Sequence, residues 1–270
     1  MADILEEIVA RKRVEVAEAK ARRSPRELYA DVDRLMADGE AHASLSMRAA
    51  LAGSASGIIA EFKRRSPSKG WIHPDIEPEQ VVPLYAEGGA AALSILTDEK
   101  YFGGSLDFVR KARPLVNLPI LRKDFIVDEY QLFEARLAGA DAVLLIAADL
   151  KPTEFRSLLA TAHELGLEVL LEVHDERELD YVVPEVDMLG VNNRHLGTFH
   201  TDVEQSFAIA RRLPQEFLLV SESGISRPDT VVRLRAAGFR GFLIGETFMR
   251  EAEPGQALKE FISQIQTASI

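Results

Sequence analysis

The stretch Gly57-Ile58-Ile59-Ala60-Glu61-Phe62-Lys63-Arg64-Arg65-Ser66-Pro67-Ser68-Lys69-Gly70 decides how the chain is read. It opens with small and β-branched apolar residues, the pattern of a strand buried on both faces. Glu61 and Lys63 then interrupt it two residues apart, so on an extended chain both side chains leave from one face. A core does not accept charges without partners, because stripping their water costs too much. A Glu and a Lys on one face at the end of such a strand therefore read as parts of a site, with a structural ion pair as the plainer reading. Residues 64–70, basic and rich in turn formers, are placed to lie over that site.

Downstream the pattern repeats. Apolar runs at 57–63, 91–97, 119–125, 141–147, 168–173, 188–192, 217–221 and 241–245 alternate with helix-like stretches. Asp128 predicts a cap for the helix that follows it, as do Asp175 with Glu178 three residues on, and Ser226 with Asp229. Several helices end in glycine before the next run, at Gly88-Gly89, Gly139, Gly166 and Gly238. The last helix, about 255–266, has no strand after it. Eight such units, evenly spaced, predict an α/β fold, the (β/α)8 TIM barrel with parallel strands and right-handed crossovers, rather than an open doubly wound sheet.

Upstream, residues 3–22 predict a helix with an apolar stripe at Ile4, Leu5, Ile8 and Val9, followed by the charged run Arg11-Lys12-Arg13-Val14-Glu15. That run fits either a solvated helix docked by one edge or a lid. Ser24-Pro25-Arg26-Glu27 has the signature of a second helix start, with Ser as N-cap and Glu at the third position. Residues 38–56 connect to the first strand, with a short helix near 46–51. No linker of disordered composition divides the repeats, so residues 1–270 are expected to form one domain, of which 1–56 is an N-terminal helical extension.

The 270 residues are 47% apolar, ample for a full core, and include no cysteine. That excludes a disulfide framework, a thiolate nucleophile and a thiolate metal site. The formal charge of −11 disfavours nucleic acid or an anionic membrane as main partner, although a local basic patch can still hold an anionic ligand. No signal-peptide pattern opens the chain, and the longest apolar run, 142–148, is far too short to span a bilayer. The expectation is a cytoplasmic protein, a monomer or at most a weak homo-oligomer.

In a (β/α)8 barrel, sites form at the C-terminal ends of the strands. There the runs end in Glu61 and Lys63, in Thr97-Asp98-Glu99, in Lys123, in Glu172, in Asn192-Asn193-Arg194 and in Ser221-Glu222-Ser223-Gly224. Any one of these has a plain structural reading; their convergence on one rim points to a site. Ser223-Gly224-Ile225-Ser226 after the seventh run and Gly245-Glu246-Thr247 after the eighth fit the loops that bind phosphate in many barrels, with glycine permitting close approach of the backbone. No Walker loop and no dinucleotide glycine pattern is present. The histidines, His42, His73, His163, His174, His195 and His200, show no metal-ligand spacing, so neither a metal nor a cofactor is expected. Two lysines and two glutamates around an anion site predict acid–base chemistry on a phosphorylated small molecule, with Phe102 and Phe125 as walls for an apolar or aromatic part of it. A lysine acid works best with its pKa lowered toward neutral, which partial burial and a neighbouring lysine both favour.

These segments resemble the indole-3-glycerol-phosphate synthase family. Residues 58–70 look like its Glu-x-Lys-x-x-Ser-Pro-Ser-x-Gly segment. Residues 118–126, Val191-Asn192-Asn193-Arg194, Ser221-Glu222-Ser223-Gly224-Ile225 and Phe242-Leu243-Ile244-Gly245 fit in order and spacing, over essentially the whole chain. The first motif is highly specific; the last two are shared by many phosphate-binding barrels. The resemblance implies ring closure of 1-(2-carboxyphenylamino)-1-deoxyribulose 5-phosphate, with loss of carbon dioxide and water, in tryptophan biosynthesis. It implies Lys123 as general acid and Lys63 as holder of the departing carboxylate. Glu172 would be the dehydration base, assisted by Glu61. Asn192 and Ser223 would bond the reacting part, and Glu222 would support the lysines. Ser66, Arg194, Gly224, Gly245 and Glu246 would line the carboxylate and phosphate ends, and Phe102, Phe125 and Leu144 the apolar part. Glu246 stands where some members carry serine, and its side chain is expected to turn outward. A sister reaction, isomerisation of a phosphoribosylated anthranilate, is associated with a cysteine base that this chain lacks; a barrel that binds phosphosugar without turnover is the other alternative.

Overall fold

The computed structural model describes residues 4–38, 44–195, 200–213 and 216–268; the readings that touch His42, residues 1–3 and residues 39–43 lie outside this set. Eight strands close into a barrel: β1 Ile58–Phe62, β2 Ala92–Leu96, β3 Ile120–Lys123, β4 Ala142–Ile146, β5 Glu168–Val173, β6 Met188–Asn192, β7 Leu218–Glu222 and β8 Phe239–Ile244. Every neighbouring pair is parallel, with β1 hydrogen-bonded to both β2 and β8. Closure leaves the barrel no strand edge open to another chain.

Alternation along the strands sorts the apolar residues into two layers. Ile59, Ala92, Leu121, Leu144, Leu170, Met188, Val220 and Leu243 meet inside the barrel. Ile58, Ala60, Val143, Leu171, Val191 and Phe242 face outward, against a shell of helices. That shell includes α4 Pro78–Glu87, α6 Leu106–Ala112, α7 Glu129–Ala138, α8 Pro152–Glu164, α9 Glu204–Ala210, α10 Pro228–Ala236 and α12 Pro254–Ala268; the single turns α5 Glu99–Phe102 and α11 Glu246–Met249 sit above β2 and β8. Gly89, Gly139, Gly166 and Gly238 end helices with positive φ, as the sequence suggests.

Three helices precede the barrel: α1 Ile4–Arg22, α2 Pro25–Ala37 and α3 Met47–Gly53. Ser24 and Glu27 form the predicted reciprocal capping box on α2. Helix α3 plugs the N-terminal end of the barrel, where its Met47 and Leu51 are fully buried in the inner cluster. Helix α1 crosses the other end; Arg13 and Val14 of its charged run are exposed, as a helix docked by one edge would have them, but Lys12 is not. Lys12 is only 5% exposed and pairs with Asp98 at 2.9 Å, Asp124 at 3.0 Å and Glu15 at 2.9 Å. Burial alone would lower its pKa, but the surrounding carboxylates raise it.

Other details also differ from the expectations. Arg227, not Ser226, occupies the N-cap of α10, because Pro228 fixes the first helical position one residue later, and Asp229 pairs with Arg227 at 3.0 Å instead of closing a capping box. Asp175 does cap the next segment, but as a 3-10 helix, Glu176–Tyr181. Strand β8 begins before Gly241, with Phe239 buried and Arg240 exposed across a register irregularity.

Candidate active site

The C-terminal ends of the strands open into a cavity of about 340 Å³. Its charged floor comes from inward-facing residues of four strands. Lys63, just past β1, contacts Glu61 on the same face, Nζ to Oε1 2.7 Å. Lys123 ends β3 and reaches Glu172 of β5 at 2.9 Å and Glu222 of β7 at 3.3 Å. Asn192 at the end of β6 donates from Nδ2 to Glu172 Oε1 at 3.0 Å. Glu172 and Glu222 are each 1% exposed.

Two glycines make room for these carboxylates. Gly190 lies mid-strand in β6, and a Cβ there would collide with Glu222 Oε1. Gly245 does the same service for Glu61 Oε1. The space at Gly224, read from the sequence as room for a ligand, is bordered by the Thr201 methyl. Ser223 is the one non-glycine residue with positive φ among the described residues, at 68°, and its carbonyl accepts a bond from Asn193 Nδ2 at 3.0 Å. A serine held in the left-handed region at the end of a barrel strand is local strain of the kind that clusters at working sites.

The electrostatics differ from the expectation for Lys123. Burial does push its pKa down, but Glu172, Glu222 and Glu61 outweigh that and raise it, so the group is a firmly held ammonium. The neighbouring lysine does not dominate because three carboxylates do. Lys123 carries one charge between two carboxylates, and they divide unequally. Glu172 is buried, but Lys123, His174 and Asn192 hold it below the usual carboxylate range. Glu222 is pushed up to about 8 by burial, against the pull of Lys123, with the Glu172 charge adding to the rise.

One flank of the cavity is apolar, formed by Leu96, Phe102, Phe125, Leu144, Ile146 and Leu243, and α1 roofs it with Ile4, Leu5 and Ile8. The Phe102 and Phe125 rings lie 6.1 Å apart, tilted by 40°. At the opposite flank are Arg194, Ser223, Gly224, Gly245, Glu246, Thr247 and Arg250. The loops after β7 and β8 are tied by Thr247 Oγ1 donating to the Ile225 carbonyl at 3.0 Å. The Glu246 carboxylate is not turned outward; it faces Arg194 at 3.8 Å, because that guanidinium offers the nearest compensating charge.

Of the residues singled out from the sequence, Ser66 does not line the cavity. It is 1% exposed, with its hydroxyl 3.5 Å from that of Ser68, while Pro67 and Lys69 of the same loop reach the cavity instead. Sequence reading missed Lys69 and Arg250, for which it held no signal beyond charge. It also missed Gly190, flagged by a glycine inside a strand, and His174. The last carried the same signal as Lys63: a charged partner two residues along the strand from a glutamate.

No helix among the described residues is long and apolar enough to cross a membrane. A closed parallel barrel with interleaved lysines and carboxylates at its C-terminal mouth, an apolar wall and an arginine-lined flank defines a barrel enzyme of the acid–base class. Comparison with known proteins narrows this. The family model described as indole-3-glycerol phosphate synthase matches residues 5–261. The chain belongs to the indole-3-glycerol phosphate synthase family. It is 60% identical over 266 residues to the indole-3-glycerol phosphate synthase of Bacteroides thetaiotaomicron, covering 98% of this chain and all of that one. It is 47% identical to that of Laribacter hongkongensis, covering 96% and 98%. Among solved structures, a mutant tryptophan synthase α-subunit from Pyrococcus furiosus aligns with a TM-score of 0.60 at 14% identity, over 78% of this chain and 98% of that one, a likeness of fold alone.

Proposed function

We propose that the chain converts 1-(2-carboxyphenylamino)-1-deoxyribulose 5-phosphate to indole-3-glycerol phosphate in tryptophan biosynthesis. The observation that carries the site assignment is Lys123, an ammonium held between Glu172 and Glu222 at the floor of a cavity with one aromatic and one cationic flank.

In this reading the carboxyphenyl ring lies against Phe102, Phe125 and Leu144, and the phosphate lies between the loops after β7 and β8, near Arg194 and the backbone of Gly224 and Gly245. Ser66 acts behind the loop that holds Pro67 and Lys69. Lys63 holds the ring carboxylate. The ring carbon bearing that carboxylate attacks the ketone carbon, and Lys123 protonates the oxygen as its charge develops. The C–C bond to the carboxylate then breaks, carbon dioxide leaves, and its electron pair restores the benzene ring. Glu172, held unprotonated, takes the proton from the carbon beside nitrogen as the new hydroxyl departs with a proton from a lysine, and the five-membered ring already closed becomes aromatic. Glu61 orients Lys63, Asn192 and Ser223 bond the reacting atoms, and Glu222 shares the Lys123 charge. Nothing in this scheme calls on a metal or a redox cofactor. The three leading helices and the barrel act as one domain, and the protein works as a cytoplasmic monomer on a small phosphorylated substrate, without nucleic acid or membrane.

The test is turnover followed by indole fluorescence. Lys123→Ala should lose about 10²–10⁴-fold in kcat, the range for a positioned acid, with its fold retained by circular dichroism. Wild-type turnover in that variant would remove Lys123 from the mechanism.

A further inference from the structure

Strand β5 extends its inward face one step beyond Glu172. His174 follows it at the i+2 position, on the same face, and is absent from the cavity lining. Its Nε2 lies 3.1 Å from Glu172 Oε1, and its Nδ1 lies 3.4 Å from Glu178 Oε2. The backbone on either side of the ring is fixed as well. The His174 N–H donates to Glu178 Oε2 at 2.6 Å, and its carbonyl accepts from Gln205 Nε2, which also donates to the Asn192 carbonyl at 3.2 Å. The buried imidazole thus lies within ion-pair distance of two carboxylates, though neither ring nitrogen is in hydrogen-bonding geometry, and one of the two carboxylates is the proposed base.

We propose that His174 is a positioning residue: a cation behind the active site that aims the Glu172 carboxylate and keeps it unprotonated. This rests on Glu172 being the base. The geometry divides the labour on that carboxylate. Oε2 faces Lys123 at 2.9 Å, on the substrate side, while Oε1 accepts from Asn192 at 3.0 Å and has His174 Nε2 behind it at 3.1 Å. When Lys123 gives up its proton, Glu172 loses its front counter-charge and its proton affinity changes in mid-reaction. A second cation that never meets the substrate keeps the carboxylate in place through that step.

The charges around the ring favour a protonated imidazole. Burial disfavours the imidazolium, but Glu172 and Glu178 raise its pKa to about 10. The third acid facing it, Asp149 on the turn after β4, has both carboxylate oxygens buried without a hydrogen bond; burial first, and then the Glu172 charge, push it up to about 8, so it stands protonated at neutral pH. Asp175, the next residue, also feels the His174 charge, and Arg13 of α1 acts on Asp149 from the same side while lying near Glu154 at 3.9 Å.

The test compares His174→Gln, His174→Lys and Glu178→Gln with the wild type and with Glu172→Gln in the full chain. The expected result for His174→Gln is a fall in kcat on the order of tenfold to a hundredfold, the scale of a misplaced catalytic group, with KM within about twofold. The acid limb of kcat/KM should move to higher pH, because the lost cation no longer opposes protonation of Glu172. His174→Lys, which restores a cation, should recover most of the loss, and Glu178→Gln should show a smaller loss of the same kind. Wild-type kcat in His174→Gln, or a loss that His174→Lys leaves untouched, overturns the proposal. If His174→Gln does not fold, Glu178→Gln decides it by the same kcat and pH readouts. Retained turnover in Glu172→Gln would instead overturn the assignment of the base, and is read separately.

Discussion

The two ends of this barrel use the same residue types in opposite ways. At the end plugged by α3, Asp141 accepts from the backbone N–H groups of Leu45 at 2.7 Å and Ile120 at 2.8 Å and pairs with Arg113 at 2.7 Å. Glu168 accepts from the Ser46 hydroxyl at 2.5 Å and the Arg48 N–H at 2.8 Å. Those carboxylates are saturated by donors that belong to the scaffold. At the open end, Glu61, Glu172 and Glu222 face lysines, and neither oxygen of buried Glu222 has a hydrogen-bond partner. Carboxylates saturated by backbone and scaffold donors hold segments together; those at the open end are paired with cations that can give up protons, and Glu222, left without a hydrogen bond, holds its own proton more tightly than an ordinary carboxylate.

The largest separation of the two roles should come from Asp141→Ala. It strands the partly buried Arg113 and leaves two N–H groups without their acceptor, so a loss of about 3–5 kcal/mol in denaturant unfolding is expected. Molecules that remain folded should keep wild-type kcat. A fall in kcat without a loss of stability would break the contrast.

A smaller effect, at the open end, sharpens it. The folded state holds the Glu222 proton up to about pH 8, while the unfolded chain releases it in the ordinary carboxylate range, near 4.3. The stability that this proton contributes is therefore full below the unfolded value and is lost as pH rises through about 8. Glu222→Gln has no proton to lose. Its stability relative to wild type should rise between pH 5 and 9, by on the order of 1 kcal/mol or more, in unfolding curves taken at each pH. Parallel curves would show that Glu222 is not the proton-holding member of the pair.

Much of this was legible in the sequence because the signals are local. The strands are short apolar runs, several of them preceded by a helix-ending glycine, and the capping box at Ser24 and Glu27 involves residues three apart. The Glu61–Lys63 pair is local too, since the two-residue repeat of a strand guarantees a shared face. What escaped depends on distant partners. Nothing in Arg11-Lys12-Arg13 tells which charge will be buried; Asp98 and Asp124, on loops after β2 and β3, decide it. The high proton affinity of Lys123 likewise comes from three carboxylates on three other strands, and burial alone points the wrong way. Glu246 turned toward Arg194 for the same reason: the compensating charge sits on another loop. His174 is the instructive miss, because it stands to Glu172 as Lys63 stands to Glu61, yet was weighed only as a metal ligand.

Strand β5 carries the comparison within itself, with Glu168 at its start and Glu172 four residues on, both facing the barrel interior. The measurement that bears most directly on the account is therefore one substitution made at both places, Glu168→Gln and Glu172→Gln, with kcat by indole fluorescence and midpoints by thermal unfolding. The account predicts that Glu168→Gln lowers the midpoint and leaves kcat unchanged, while Glu172→Gln abolishes turnover in molecules that remain folded. Wild-type turnover in Glu172→Gln, or a loss of turnover in a stable Glu168→Gln, would contradict it.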